Sequence, residues 1–200
     1  MNQLWAPVGQ PHILALSCLS GFLVAWASLA GIELAATPRT ADAVQASRGP
    51  QQASDVAVKA AYLYNFARFT DWPSLPTGAP IVACIVGDDG IAAAFVEIVG
   101  VRTVDGHRLV LGHPPDSTTW PSCQLLFIAE AQIRRSAVAL AGITTLPVLT
   151  VSDTKGFAQT GGIIELFANA GQLRFAINVD AAERSGLRLS SKLLSLAKVI

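Results

Sequence analysis

The sequence predicts a single α/β domain, a mixed β-sheet flanked by helices, preceded by an apolar N-terminal export or anchor segment. Three observations carry this. The continuous apolar run Ile81–Val86 and the largely apolar stretches Cys123–Ala129 and Pro147–Val151 have the length and bulk of buried strands. The first two are each followed by residues at helical spacing, so strand and helix alternate as in right-handed parallel crossovers. Ile163–Phe167 and Gln172–Val179, separated by Asn169-Ala170-Gly171, read instead as an antiparallel hairpin, which makes the sheet mixed.

The chain opens with an address rather than a fold. Ile13 to Ile32 carries no charge, and no Lys or Arg precedes Arg39. The run is about 20 residues, close to a bilayer span. As a secretory signal it would use Ile13–Val24, with small-residue exits at Ala25-Trp26-Ala27 or Ala41-Asp42-Ala43. As a retained anchor it would use its whole length. Cys18 hints at a lipoprotein signal, but Ala15 and Leu16 suit the positions before such a cysteine poorly. Either reading places the rest of the chain outside the cytoplasm. Residues 1–36 are therefore read as signal peptide or transmembrane anchor, 37–54 as a flexible linker poor in large side chains, and 55–200 as the folded domain.

Within that domain the first helix is expected from Val56 to Trp72, with Asp55 as cap and Pro73 as stop. At about 100° per residue Tyr62, Leu63, Phe66, Ala67 and Phe69 share one face, while Asn65, Arg68 and Asp71 lie opposite. Lys59 falls on the apolar face; its stem either snorkels past the first turn or its charge meets Glu165. Asp88 or Asp89 caps a helix over Ile91–Val99 that Gly100 closes. Asp105-Gly106 joins Arg102–Val104 to His107–Leu111 as a tight hairpin. A helix follows from about Ala131 to Ala141. Asp180 caps a short helix ending at Gly186, and the segment after Leu187 leads into an amphipathic helix whose first turn Ser190 and Ser191 cap.

Few residues here can carry chemistry. Fourteen basic and fourteen acidic residues cancel, so nothing electrostatic points to nucleic acid. His107 and His113 lack the spacing of a metal site and read as surface residues. Gly87-Asp-Asp-Gly90 lacks the pattern of a phosphate loop and reads as a strand-to-helix turn. Ser190-Ser191-Lys192 lacks the S-x-x-K spacing of a Ser/Lys nucleophile. No cofactor, metal or catalytic constellation is expected, and the chain is not read as an enzyme. Cys84 and Cys123 each lie at or near the start of a predicted buried strand, and adjacent strands, or a strand beside a neighbouring loop, could bring them together. In an exported chain such an even pair reads as a disulfide, the alternative being two buried free thiols.

Lys59-Ala-Ala-Tyr-Leu-Tyr-Asn-Phe-Ala-Arg-Phe-Thr-Asp-Trp-Pro73 resembles the opening of the YfiR family. The similarity continues through Cys84-Ile-Val-Gly-Asp-Asp, Arg108-Leu, Cys123-Gln-Leu-Leu-Phe-Ile, Pro147-Val-Leu-Thr-Val-Ser-Asp, Phe157, Gly161-Gly162-Ile-Ile-Glu-Leu, Arg174-Phe-Ala-Ile-Asn and Leu189-Ser-Ser-Lys-Leu-Leu. The resemblance implies a periplasmic α/β protein, often a homodimer. Such a protein binds the periplasmic part of a membrane-bound diguanylate cyclase and holds it inactive, until an outer-membrane lipoprotein sequesters the inhibitor. It also implies that Cys84 and Cys123 form a disulfide. A second cysteine pair that some members carry near Asp153–Glu165 is missing here, and with it any redox switching through that bond.

A regulator of this kind needs an exposed apolar patch with a polar rim. Two surfaces qualify: Tyr64, Arg68 and Trp72 on the edge of the first helix, and Leu193, Leu194, Leu196 and Val199 on the last. The competing hypothesis is a periplasmic small-molecule binding or sensing module, with its crevice at the strand ends near Gly87-Asp88 and Ser152-Asp153.

Overall fold

A computed structural model describes residues 50–200. The apolar run Ile13–Ile32 and the linker up to residue 49 lie outside the described residues. Among the described residues no helix is long and apolar enough to cross a membrane.

Helix α1 spans Pro50–Arg68. It starts earlier than the sequence suggests because Pro50 fits the first helical position and Gln51, Gln52 and Ala53 continue it. Asp55 therefore sits inside the helix rather than capping it. The helix also ends sooner, at Arg68: the Thr70 hydroxyl donates to the Phe66 carbonyl at 2.8 Å, and strand β1 (Thr70–Asp71) begins. Strand β2 (Ile81–Val86) leads into α2 (Asp89–Val99), whose Ile91 N–H donates to the Asp88 carboxylate at 2.9 Å. Strands β3 (Thr103–Val104) and β4 (His107–Gly112) form the expected hairpin. Its turn needs positive φ at both central residues, which Asp105 (49°) and Gly106 (85°) supply.

A 3-10 segment, Ser117–Ser122, precedes β5 (Leu125–Ile128), and α3 (Glu130–Ala141) returns the chain to β6 (Leu149–Ser152). The hairpin β7 (Ile164–Asn169) and β8 (Gln172–Ile177) turns through Ala170 and Gly171, both at positive φ. Helix α4 (Val179–Arg184) is capped by Asn178, whose side chain accepts from Ala181 N–H; Asp180, the expected cap, lies in its first turn.

The C-terminus departs most from expectation. After β9 (Arg188–Leu189), α5 covers only Ser191–Leu194, its start capped by the Ser190 hydroxyl. The chain then extends into β10 (Lys198–Val199) instead of continuing as an amphipathic helix. Apolar spacing alone favoured helix; pairing with β8 supplies the hydrogen bonds that decide for strand.

The main sheet has eight strands in the order β10-β8-β7-β6-β5-β2-β4-β3, and β1 pairs with β9 as a separate ribbon. Strands β4, β2, β5, β6 and β7 run parallel, β3 and β8 are antiparallel to their neighbours β4 and β7, and β10 runs parallel to β8. The sheet is thus mixed and flanked by helices. One face packs Leu63 and Phe66 of α1 and Phe95 of α2 against Phe127, Val151 and Ile164. Tyr62, Phe66 and Phe175 meet edge-on or tilted, with ring centroids 5.1–5.7 Å apart. The other face holds Trp120, Leu126, Ile128 and Val148 beneath α3, with the disulfide Cys84–Cys123 beside them at a Cα separation of 5.9 Å.

Candidate interaction surface

Helix α1 is the hub. Its Lys59 ammonium pairs with the Asp153 carboxylate, not with Glu165. Strand alternation gives the reason: Ile164 points to the α1 side of the sheet, so Glu165 must point to the other. There Glu165 is buried and accepts from the Ala158 N–H at 3.3 Å. The second Asp153 oxygen accepts the Glu130 N–H at 2.8 Å. Helix α3 begins after Ala129, which has no capping side chain, so Asp153 caps α3 from across the fold while tethering α1.

At the far end of α1, Tyr64 lies between two arginines. The Arg68 guanidinium is 5.7 Å and that of Arg102 5.6 Å from its ring centroid, and Arg68 is also 5.5 Å from the Phe69 ring. Both guanidiniums are exposed, so each contact contributes about 0.5–1 kcal/mol and mainly fixes direction. Beside them a crevice of 260 Å³ is lined by Arg68, Arg188, Asp71 and Asp105, where the β1–β9 ribbon passes the hairpin turn. Among the described residues Lys59–Asp153 is the one ion pair, so Arg68, Arg102 and Arg188 are committed to no carboxylate there. A rigid tyrosine flanked by arginines is the side-chain mixture that protein interfaces concentrate at their centres.

The structure separates the residues proposed from sequence. Tyr64 and Arg68 are together at the surface. Trp72 is not with them: it is 6% exposed, and its indole N–H donates to the Gln124 carbonyl at 3.1 Å, which makes it a core residue. Leu193 is likewise core at 3% and Leu194 is half-buried, whereas Leu196 and Val199 stand 70% and 55% exposed at the β10 edge. Arg102 was missed, because it enters through a turn after α2 that no helical period connects with Tyr64. Its adjacency to the Asp105-Gly106 hairpin was the available signal.

The two aspartates at the strand ends are already engaged, although a crevice of about 720 Å³ opens beside Asp153, lined also by Lys155, Gln159, Glu165 and Lys198. Asp88 caps α2, Asp153 is taken by Lys59 and Glu130, and the Gly87 position is closely approached by the Gln132 side chain. His107 is half-buried with Nδ1 2.7 Å from the Ala79 carbonyl, and His113 is exposed. Among the described residues no three His, Cys, Asp or Glu side chains converge as metal ligands. Asp116, fully exposed, has its pKa lowered, chiefly because the Thr118 hydroxyl and then the Thr118 N–H donate to the charged carboxylate.

Among solved structures, a crystal structure of a conserved domain protein from Vibrio cholerae O1 biovar eltor is similar at a TM-score of 0.41 and 13% identity. The match covers 72% of this chain and 59% of that one, so the chain spans about three fifths of that protein's length. The model of the family described as YfiR/HmsC-like matches residues 56–198, nearly the whole described domain, and the chain belongs to that family.

Proposed function

We propose that the chain is an exported periplasmic regulator that works by protein contact. It represses a membrane-bound diguanylate cyclase by binding the cyclase's periplasmic part, and so lowers cellular cyclic-di-GMP. Membership of the YfiR/HmsC-like family is the observation that carries this reading. The arginine–tyrosine surface supports it by offering a docking site of the right composition. An acidic, partly apolar segment of the cyclase would lie against Tyr64 and between Arg68, Arg102 and Arg188. The exposed Leu196 and Val199 at the β10 edge are the proposed self-contact of a homodimer, and an outer-membrane lipoprotein is the proposed competitor for the cyclase-binding surface. The N-terminal apolar run either is removed on export or holds the domain at the inner membrane.

Deletion of the gene tests the role. Cellular cyclic-di-GMP rises, and the rise disappears when the cyclase that co-purifies with the exported domain is deleted as well. A deletion that leaves cyclic-di-GMP unchanged under every growth condition in which the protein is made contradicts the reading.

A further inference from the structure

The second face of the sheet contains a space that the regulatory surface does not use. Between the flank of α3 and the return loop 154–162 lies a cavity of about 320 Å³, floored by Thr150 of β6. That is at the lower end of the range for ligand sites and about twice the size of a cavity known to take up benzene. Ile133, Leu140, Ile143, Phe157 and Ile163 form its walls, and no charged side chain lines it. Ala137, Ala141 and Thr160, all exposed, stand at its mouth.

Two features keep the space from closing. The Phe157 ring lies against Gly162 so tightly that a Cβ there would meet ring carbons at 2.2–2.5 Å, which fixes the ring as a wall rather than a plug. Strand alternation fixes Thr150: Leu149 and Val151 belong to the α1 side, so Thr150 must point under α3.

The hydroxyls around the cavity are not equivalent. Thr144 donates to the Ala141 carbonyl, Thr160 to those of Gly156 and Phe157, and Ser185 to those of Thr144 and Ala181. Thr150 instead accepts, from the Ile163 N–H at 3.1 Å, which leaves its own hydrogen to donate. It is buried at 6% exposure. An ion entering here would lose its water with no opposite charge to meet, so the walls select against charge. A molecule with one acceptor would satisfy the Thr150 hydrogen while its apolar body filled the rest.

We infer that this cavity is a binding site for a small uncharged molecule, a ring or short chain carrying one hydrogen-bond acceptor. The site is separate from the strand-end crevice and does not depend on the regulatory reading. Phe157, Thr160, Gly161 and Gly162 of its wall belong to the loop that follows Asp153, the residue that joins α1 to α3, so an occupant braces that loop.

The chain as the cell makes it, purified and freed of detergent, is titrated with three probes of similar size: acetophenone, isopropylbenzene and benzoate. Thermal unfolding and ligand-observed NMR give the readout. Acetophenone raises Tm saturably, by about 5–10 °C at 100 times its Kd, and benzoate does not. Ala137→Leu and Ala141→Leu, each filling the mouth from an exposed helix position, separately weaken acetophenone at least tenfold while keeping a cooperative transition. Thr150→Val weakens acetophenone several-fold more than isopropylbenzene. Absence of any shift at the acetophenone solubility limit overturns the inference. So does an equal response to benzoate, or an affinity unchanged in both filled variants.

Discussion

The two faces of the sheet are stabilised by different means. On the α1 side, large side chains from helices and strands interlock: Leu63, Phe66, Phe95, Phe127 and Ile164 are all wholly buried. On the α3 side one helix covers a smaller apolar cluster, a disulfide ties β2 to the segment before β5, and a cavity remains. Dense packing fixes α1, and with it the direction in which Tyr64 and Arg68 are presented. The two faces meet through the shared sheet and through Asp153, which caps α3 and pairs with Lys59 of α1. The covalent bond substitutes on the α3 side for area that a single helix does not bury.

The largest expected effect is on the packed face. Phe66→Ala removes a ring that touches Tyr62 and Phe175 and leaves a cavity, so chemical denaturation is expected to show a loss of about 3–5 kcal/mol. Cys84→Ala with Cys123→Ala opens a loop with a sequence separation of 39. The chain-entropy model puts its contribution at about 4 kcal/mol, with native strain subtracting from it. If the packed face stands without the disulfide, the double variant keeps the near-ultraviolet signal of its α1-side aromatics up to the transition. Loss of that signal before unfolding would show the faces to be one unit.

Asp153→Ala should cost less, about 2–3 kcal/mol, because it uncaps α3 and leaves Lys59 half-buried without its partner. Hydrogen exchange separates the two losses: amides at the α3 start and in the first half of α1 lose protection together. Asp116→Asn is the mildest change. The lowered carboxyl pKa means its contribution is present above the ordinary carboxylate value and is lost as pH falls through the folded value. A stability–pH profile of the variant should therefore be slightly flatter than the parent's in that acidic window and otherwise parallel to it.

Much of this was legible because it is local. Asp105-Gly106 announces its hairpin, Asp88 its helix, and three apolar runs their strands, since each depends on neighbours in sequence. Elements decided by distant partners were not. The last residues look helical until β8 offers an edge, and Trp72 looks like a surface aromatic until the Gln124 carbonyl is placed above it. Lys59 was visibly out of place on an apolar face, yet only the side from which each strand residue projects distinguishes Asp153 from Glu165 as its partner. Arg102 joins Tyr64 through a turn with no periodicity to follow. The cavity is an absence of side chains between elements far apart in the chain, and no single stretch encodes it.

Under the proposed function the regulation is carried by a contact surface, and reversing that surface's charge tests it. Arg68→Glu with Arg102→Glu reverses two exposed charges and removes only the exposed contacts to Tyr64 and Phe69. Cellular cyclic-di-GMP is compared among the parent, this double variant and the deletion, with the amount of exported protein and its Tm determined alongside. The double variant is expected to be exported at the parental level with nearly the parental Tm, and to raise cyclic-di-GMP to the level of the deletion. Parental cyclic-di-GMP in a strain making the double variant would contradict the proposed function.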